Sequence, residues 1–131
     1  MDETALAAVA RRHGIRLLVQ FGSTTRGTTH RQSDVDLGVV LADPDPAPAE
    51  YAALLHDLQT LLPDRPVDLV VLNRADPLLL DQVARSCQRL FGSEREFQAF
   101  RLLAWKRFQD YRPYLEYEKR YVERELARFG R

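Results

Sequence analysis

Two acids opening an apolar run constrain this chain more than any other feature. Asp34-Val35-Asp36 leads directly into Leu37-Gly38-Val39-Val40-Leu41. Strand side chains alternate faces, so Asp34 and Asp36 share one face and Val35 takes the other. Two carboxylates side by side repel each other, and a hard cation between them removes that repulsion. Mg²⁺ takes about six oxygens at ~2.1 Å and often draws several from a substrate phosphate. Upstream, the apolar segment Ile15 to Phe21 runs into Gly22-Ser23. Gly22 lets the backbone approach a phosphate closely. Ser23 can start a helix, offering its hydroxyl and free N–H groups to that anion. Taken singly, Gly-Ser is an ordinary turn and Asp-x-Asp an ordinary solvated strand end. In this order, between two apolar strands, they point to metal and phosphate chemistry.

A chain of 131 residues suffices for one compact domain with a real core. It is short for a catalytic domain plus a dedicated substrate domain, so a single domain over 1–131 is expected. Basic and acidic residues both total 19, so nothing in the charge favours direct nucleic-acid binding. A single cysteine, Cys87, excludes an internal disulfide and fits a reducing cytoplasm. No motif surrounds it, so packing is its expected role. The N-terminus begins with acids and lacks a long apolar core, unlike a signal peptide. No apolar run is long enough to span a bilayer. A cytoplasmic protein without a membrane partner is the expectation.

The pattern along the chain is α/β. A helix is expected over Asp2 to His13, with Asp2 at its start, Gly14 at its end and Leu6, Val9 and Ala10 inward. A strand follows over Ile15 to Phe21, buried on both faces. A short helical turn is expected over Ser23 to Gly27 and a polar loop over Thr28 to Ser33. His30 and Arg31 in that loop, like His13, have ordinary explanations. Arg26 either contacts nucleotide phosphate or braces the acids through a salt bridge, the bracing role being slightly preferred. The second strand spans Asp34 to Leu41. A helix over Ala49 to Leu62 carries Leu54, Leu55, Leu58, Leu61 and Leu62 on one side, with His56 and Asp57 on its solvated face. Val67 to Leu72 is the third strand, with Asp68 near its start. A charge in an apolar strand costs several kcal/mol unless paired or coordinated. Asp68 is therefore either a strand-edge residue in water or a partner of the first two acids.

Asp76-Pro77 opens the next helix, with Leu78, Leu79, Gln82 and Val83 inward. Arg89 to Phe91 reads as a short edge strand. Ser93-x-x-Glu96 is a capping box that starts a further helix. Its stripe of Phe97, Phe100, Leu103, Ala104 and Phe108 reads as core. Pro113 is expected to interrupt, and a charged helix with Tyr114, Leu115, Tyr117, Tyr121, Leu126 and Phe129 resumes. This tail either folds back on the sheet or presents a surface to another chain, a partner or a second copy.

The sequence Gly22-Ser23-Thr24-Thr25-Arg26-Gly27, followed by Ser33-Asp34-Val35-Asp36-Leu37, resembles the minimal nucleotidyltransferases, or MNT proteins. These belong to the DNA polymerase beta-like nucleotidyltransferase superfamily. The resemblance covers roughly residues 15–91 by motif and extends more loosely to C-terminal helices at about 93–129. It implies a small mixed β-sheet flanked by α-helices. It also implies that Asp68 is the third catalytic carboxylate, and that Asp34, Asp36 and Asp68 hold two Mg²⁺ ions. Gly22 and Ser23, with Arg26, would bind the nucleotide, and ATP would be the substrate. Asp68 would also accept a proton from the incoming hydroxyl. MNT proteins of this kind resemble the antitoxins of HEPN–MNT toxin–antitoxin pairs, in which AMP is added to a tyrosine of a HEPN ribonuclease toxin. Two alternatives stand beside that reading. One is transfer to a small molecule, as in aminoglycoside nucleotidyltransferases. The other is an antitoxin acting by binding alone, which would have no need to gather three acids.

Overall fold

The computed structural model describes residues 1–22 and 34–129. The helical turn and loop expected over 23–33, with Ser23, Arg26, His30 and Arg31, lie outside the described residues. Helix α1 (Glu3–His13) begins where the Asp2 carboxylate accepts from the Thr4 N–H, and ends at Gly14, whose φ of 66° is left-handed. The expected inward residues, Leu6, Val9 and Ala10, are buried. Strand β1 (Ile15–Phe21) has the expected limits. Leu17 and Val19 enter one apolar core and Ile15 and Leu18 the other, so the strand is buried on both faces.

Strand β2 (Val35–Leu41), helix α2 (Pro48–Leu61) and strand β3 (Val67–Val71) follow. Asp34 therefore stands just before β2 rather than inside it. A tight 3-10 turn, Leu72–Arg74, replaces the expected last residue of β3. Helix α3 (Pro77–Arg85) starts at Asp76, whose carboxylate accepts from the Leu78 N–H at 2.7 Å. Strand β4 (Cys87–Phe91) is longer by two residues than expected. Helix α4 (Glu94–Phe129) opens with Ser93 Oγ accepting from the Glu96 N–H.

The sheet order is β3-β2-β1-β4, with β1 antiparallel to both β2 and β4, and β2 parallel to β3. This is the expected mixed sheet. Helices α1 and α2 cover one face, where Leu6, Val9, Leu54 and Leu58 meet Leu18, Leu37 and Leu69. Helices α3 and α4 cover the other, where Leu80, Val83, Phe100 and Ala104 meet Leu17, Val19 and Leu72. Burying both faces is what a small sheet needs to gather enough apolar area.

Four expectations need correcting. The inner stripe of α3 is Leu79, Leu80, Val83 and Ala84, while Leu78 and Gln82 are exposed. Leu103 is also exposed, so the core stripe of α4 narrows to Phe97, Phe100 and Ala104, with Phe108 half-buried. Asp57 is not a solvated residue. It accepts from His13 Nε2 at 2.6 Å and from an Arg12 guanidinium nitrogen at 3.1 Å, tying α2 to the end of α1. The His13 hydrogen bond, then Arg12, holds its carboxyl below the usual carboxylate range. Finally, Pro113 does not interrupt: α4 is one helix of 36 residues, roughly 54 Å at 1.5 Å per residue. An interior proline costs about 3 kcal/mol. Helix formers such as Lys106, Arg107, Leu115 and Glu116 on both sides favour continuation, and the exposed Arg112–Glu116 pair across the proline adds no more than about 0.5 kcal/mol.

Candidate active site

The site forms at the end of the sheet where β1 stops and β2 begins. The antiparallel register sets Phe21 opposite Asp36, and the parallel register sets Asp36 beside Asp68. Alternation along β2 sends Val35, Leu37 and Val39 to the α1–α2 face. Asp36 is thereby directed to the α3–α4 face. The same alternation on β3 puts Asp68 on that face, since Val67, Leu69 and Val71 pack on the opposite one. Two carboxylates from neighbouring strands thus point the same way at one register position. Asp34 lies two residues before Asp36, exposed at the strand's mouth.

Gly22 closes the site from above. Its φ is +85°, a region that residues with a Cβ rarely adopt. A Cβ at Gly22 would also collide with the Asp36 carboxylate oxygen Oδ2. The backbone turn favours glycine at this position, and a side chain here would also displace the Asp36 carboxylate. The conformation leaves Asp36 partly enclosed. Its pKa is raised above 3.8, first by burial, then by the charge of Asp68, then by that of Asp34. Asp36 therefore feels the charge of both other acids.

This arrangement fits a hard cation. The donors are all carboxylate oxygens, and the charge crowding at Asp36 is what a bound cation relieves. Among the described residues, no three His, Cys, Asp or Glu side chains gather closely enough to hold a metal by themselves. Mg²⁺ sites that use substrate phosphates need only one or two carboxylates from the protein, and Asp36 with Asp68 supplies them.

Other groups around the site were not apparent in the sequence. Tyr51 of α2 donates its hydroxyl to the Leu69 carbonyl at 2.7 Å. Its pKa is raised by burial and then by Asp68, which marks it as an acid-side neighbour. Cys87 stands opposite Phe21 in β4, half-buried, with burial pushing its thiol pKa up. That is the expected packing role, since a raised thiol pKa opposes reactivity. Of the residues expected at the site, Gly22 meets Asp36 and Asp36 pairs with Asp68, Asp34 stands exposed two residues before Asp36, and Ser23 and Arg26 lie outside the described residues. No helix among the described residues is long and apolar enough to cross a membrane.

Comparison with known proteins gives this geometry a context. The polymerase beta nucleotidyltransferase family pattern matches residues 4–96, more than half of the chain and all of the candidate site. A curated relative, the protein adenylyltransferase MntA of Shewanella oneidensis, is 36% identical over 86 residues. That match takes in 66% of this chain and 60% of the relative, so the chain spans less than two thirds of the length of MntA. A chain from a crystal structure of a toxin–antitoxin with AMP-PNP superposes with a TM-score of 0.74 at 27% identity. The match covers 97% of this chain and 99% of that one. A protein assigned as a minimal nucleotidyltransferase superposes with a TM-score of 0.54 at 34% identity, over 67% of this chain and 87% of its own.

Proposed function

This chain belongs to the polymerase beta nucleotidyltransferase family, and on that premise we propose that it transfers AMP from ATP to a tyrosine of a HEPN-type toxin and so silences it. The observation that carries the reading is the pairing of Asp36 with Asp68 at one register position, with Gly22 against Asp36. The similarity to MntA and to a toxin–antitoxin with AMP-PNP supports the acceptor and the nucleotide. The MNT resemblance of the Gly-Ser and Asp-x-Asp block supports the HEPN class. The chain would act in the cytoplasm, as one nucleotidyltransferase domain over 1–131.

In this reading Gly22 and Ser23 hold the β- and γ-phosphates, with Arg26 contacting phosphate or bracing the acids. Asp36 and Asp68 would hold Mg²⁺, with Asp34 at the strand's mouth as the third ligand and two ions expected. Mg²⁺ held there supplies charge stabilisation for the attacking and leaving oxygens of an in-line displacement. The acceptor oxygen bonds to the α-phosphorus, the bond to the bridging oxygen breaks, and pyrophosphate leaves. Asp68, exposed at its strand's start, is placed to take the proton from the incoming hydroxyl. The exposed aromatic face of α4, with Tyr114, Tyr117 and Tyr121, is where we place contact with the partner.

The binding-only alternative leaves the crowding of carboxylates at Asp36 without a use. The test is incubation with α-labelled ATP, Mg²⁺ and a HEPN-type partner, followed by mapping of the label. Label on a partner tyrosine is the expected result. Partner neutralised without label would favour binding alone, and label only on an aminoglycoside would favour the small-molecule reading.

A further inference from the structure

Strand β3 is the weak member of the site. It is a short edge strand, Val67–Val71, held to β2 only by parallel pairing. Parallel pairs are slightly less stable per residue than antiparallel ones. A slip of one residue turns every side chain to the opposite face. Asp68 would then leave Asp36 and point toward α2. The register of this one strand decides whether the two carboxylates meet.

One side chain fastens its start. The Gln59 amide nitrogen donates to the carbonyls of Leu62 and Arg65, both at 2.7 Å. Its amide oxygen accepts from the Val67 N–H at 2.8 Å. Both donors and an acceptor of one amide are thus spent on the connection between α2 and β3. Two carbonyls face its nitrogen and an N–H faces its oxygen, so only this orientation of the amide satisfies all three. Next to this contact the Val35 N–H donates to the Pro66 carbonyl at 2.8 Å, opening the β2–β3 ladder. Asp68 is the following residue. At the other end of the pair Asn73 does a similar job. Its side chain accepts from the Leu41 N–H and donates to the Leu41 carbonyl, both at 2.9 Å, in the manner of an extra strand residue.

We propose that Gln59 is a positioning residue for the metal site, fixing the first residues of β3 so that Asp68 stays beside Asp36. The two amides are not equivalent in this role. Loss of Gln59 frees the start of β3, where Asp68 is the second residue. Loss of Asn73 frees the far end and leaves Val67 and Asp68 paired. The inference rests on the nucleotidyl-transfer reading for its purpose, but its test does not depend on transfer.

The experiment measures Mn²⁺ binding in the presence of AMP-PNP, with thermal melting, for wild type, Gln59→Leu, Gln59→Glu and Asn73→Leu. Partners that orient metal ligands typically account for about 10- to 100-fold in metal affinity, so Gln59→Leu should weaken Mn²⁺ by about tenfold or more. Gln59→Glu keeps the acceptor for Val67 and loses both donors, so it should fall between and serves if the leucine variant does not fold. Asn73→Leu should melt lower yet bind Mn²⁺ within about twofold of wild type, because its loss leaves the metal-side residues in register. Unchanged Mn²⁺ affinity in both Gln59 variants would overturn the proposal. Equal weakening in Asn73→Leu would overturn it too, since a general loss of stability would then suffice, and so would a wild type that binds no Mn²⁺. A wild type that transfers no AMP, but whose Mn²⁺ affinity still depends on Gln59, would remove the functional reading and leave the positioning role standing.

Discussion

The acid-bearing end of the sheet and the far half of α4 depart from ordinary burial in opposite directions. At the sheet, Asp36 sits partly enclosed on an apolar face, crowded by Asp68 and Asp34. On α4, Tyr114, Tyr117, Tyr121, Val122, Leu126 and Phe129 are exposed, each by more than half. The near half of the same helix buries Phe100 and Ala104 against α3 and β1, while Leu102 and Trp105 on its outer side are also more than half exposed. The helical spacing of that buried stripe continues through Tyr111, Leu115, Val122 and Phe129, after the domain body has ended. Gathered charge costs free energy unless something neutralises it, and exposed apolar surface costs free energy unless something covers it. The first asks for a cation and a nucleotide, the second for another protein. Under the proposed function the two regions separate chemistry from docking, so each should be removable without the other.

Asp36→Asn should give the largest effect. It keeps the shape and removes a metal-binding charge. Loss of several kcal/mol of charge stabilisation corresponds to roughly a thousandfold in transfer rate or more. Capture of the partner should be unaffected, because no docking residue has changed. Wild-type labelling by this variant would remove Asp36 from the catalytic set, and loss of partner capture would show that the two regions are not separable.

The converse cut is deletion of residues 113–131. Those residues bury little, so melting of the remaining body should move by no more than about 4 °C. Binding of AMP-PNP with Mn²⁺ should persist, while a pull-down with the HEPN partner should fail. A large drop in melting, or insolubility, would mean that the far half covers the sheet after all. A soluble truncation that still labels its partner at the normal rate would place the docking surface elsewhere.

The parts of this comparison that were legible in the sequence are those set by local physics. Asp2 and Gly14 bound α1, Asp76-Pro77 opens α3 and Ser93 opens α4, because each cap needs only its own few residues. Strand β1 was legible from its continuous apolar run, and Asp34 and Asp36 from their spacing. What the sequence left open depended on distant partners. Asp68 is set beside Asp36 by the parallel register of two strands separated by a whole helix, while staying exposed on the edge strand. Asp57 looked like an ordinary helix-surface residue, since its partner His13 lies 44 residues away and meets it only when α2 docks on α1. Pro113 misled in the other direction, a local rule overridden by the helix on both sides of it.

The smallest effect tests the electrostatic half of the comparison without any catalysis. Asp36 has its pKa raised in the folded protein, by burial and then by Asp68 and Asp34. For a carboxyl raised in this way, the folded state binds the proton more tightly than the unfolded chain. Its contribution to stability is therefore full below the unfolded value and is lost as pH rises through the folded one. Asp36→Asn removes that loss. The variant should melt slightly above wild type at neutral pH without divalent cations, and the gap should close as pH falls below about 3.8, the ordinary value. Asp57, whose carboxyl is held low by His13 and Arg12, loses its stabilising share in that same acid range, but equally in both proteins. The difference between the two melting curves therefore isolates Asp36. Adding Mn²⁺ with AMP-PNP should reverse the order at neutral pH, because only wild type gains the full binding free energy of the metal. A variant that never melts above wild type in the absence of metal would show that the three acids are too well solvated to strain the fold, and the contrast with α4 would then rest on the exposed helix alone.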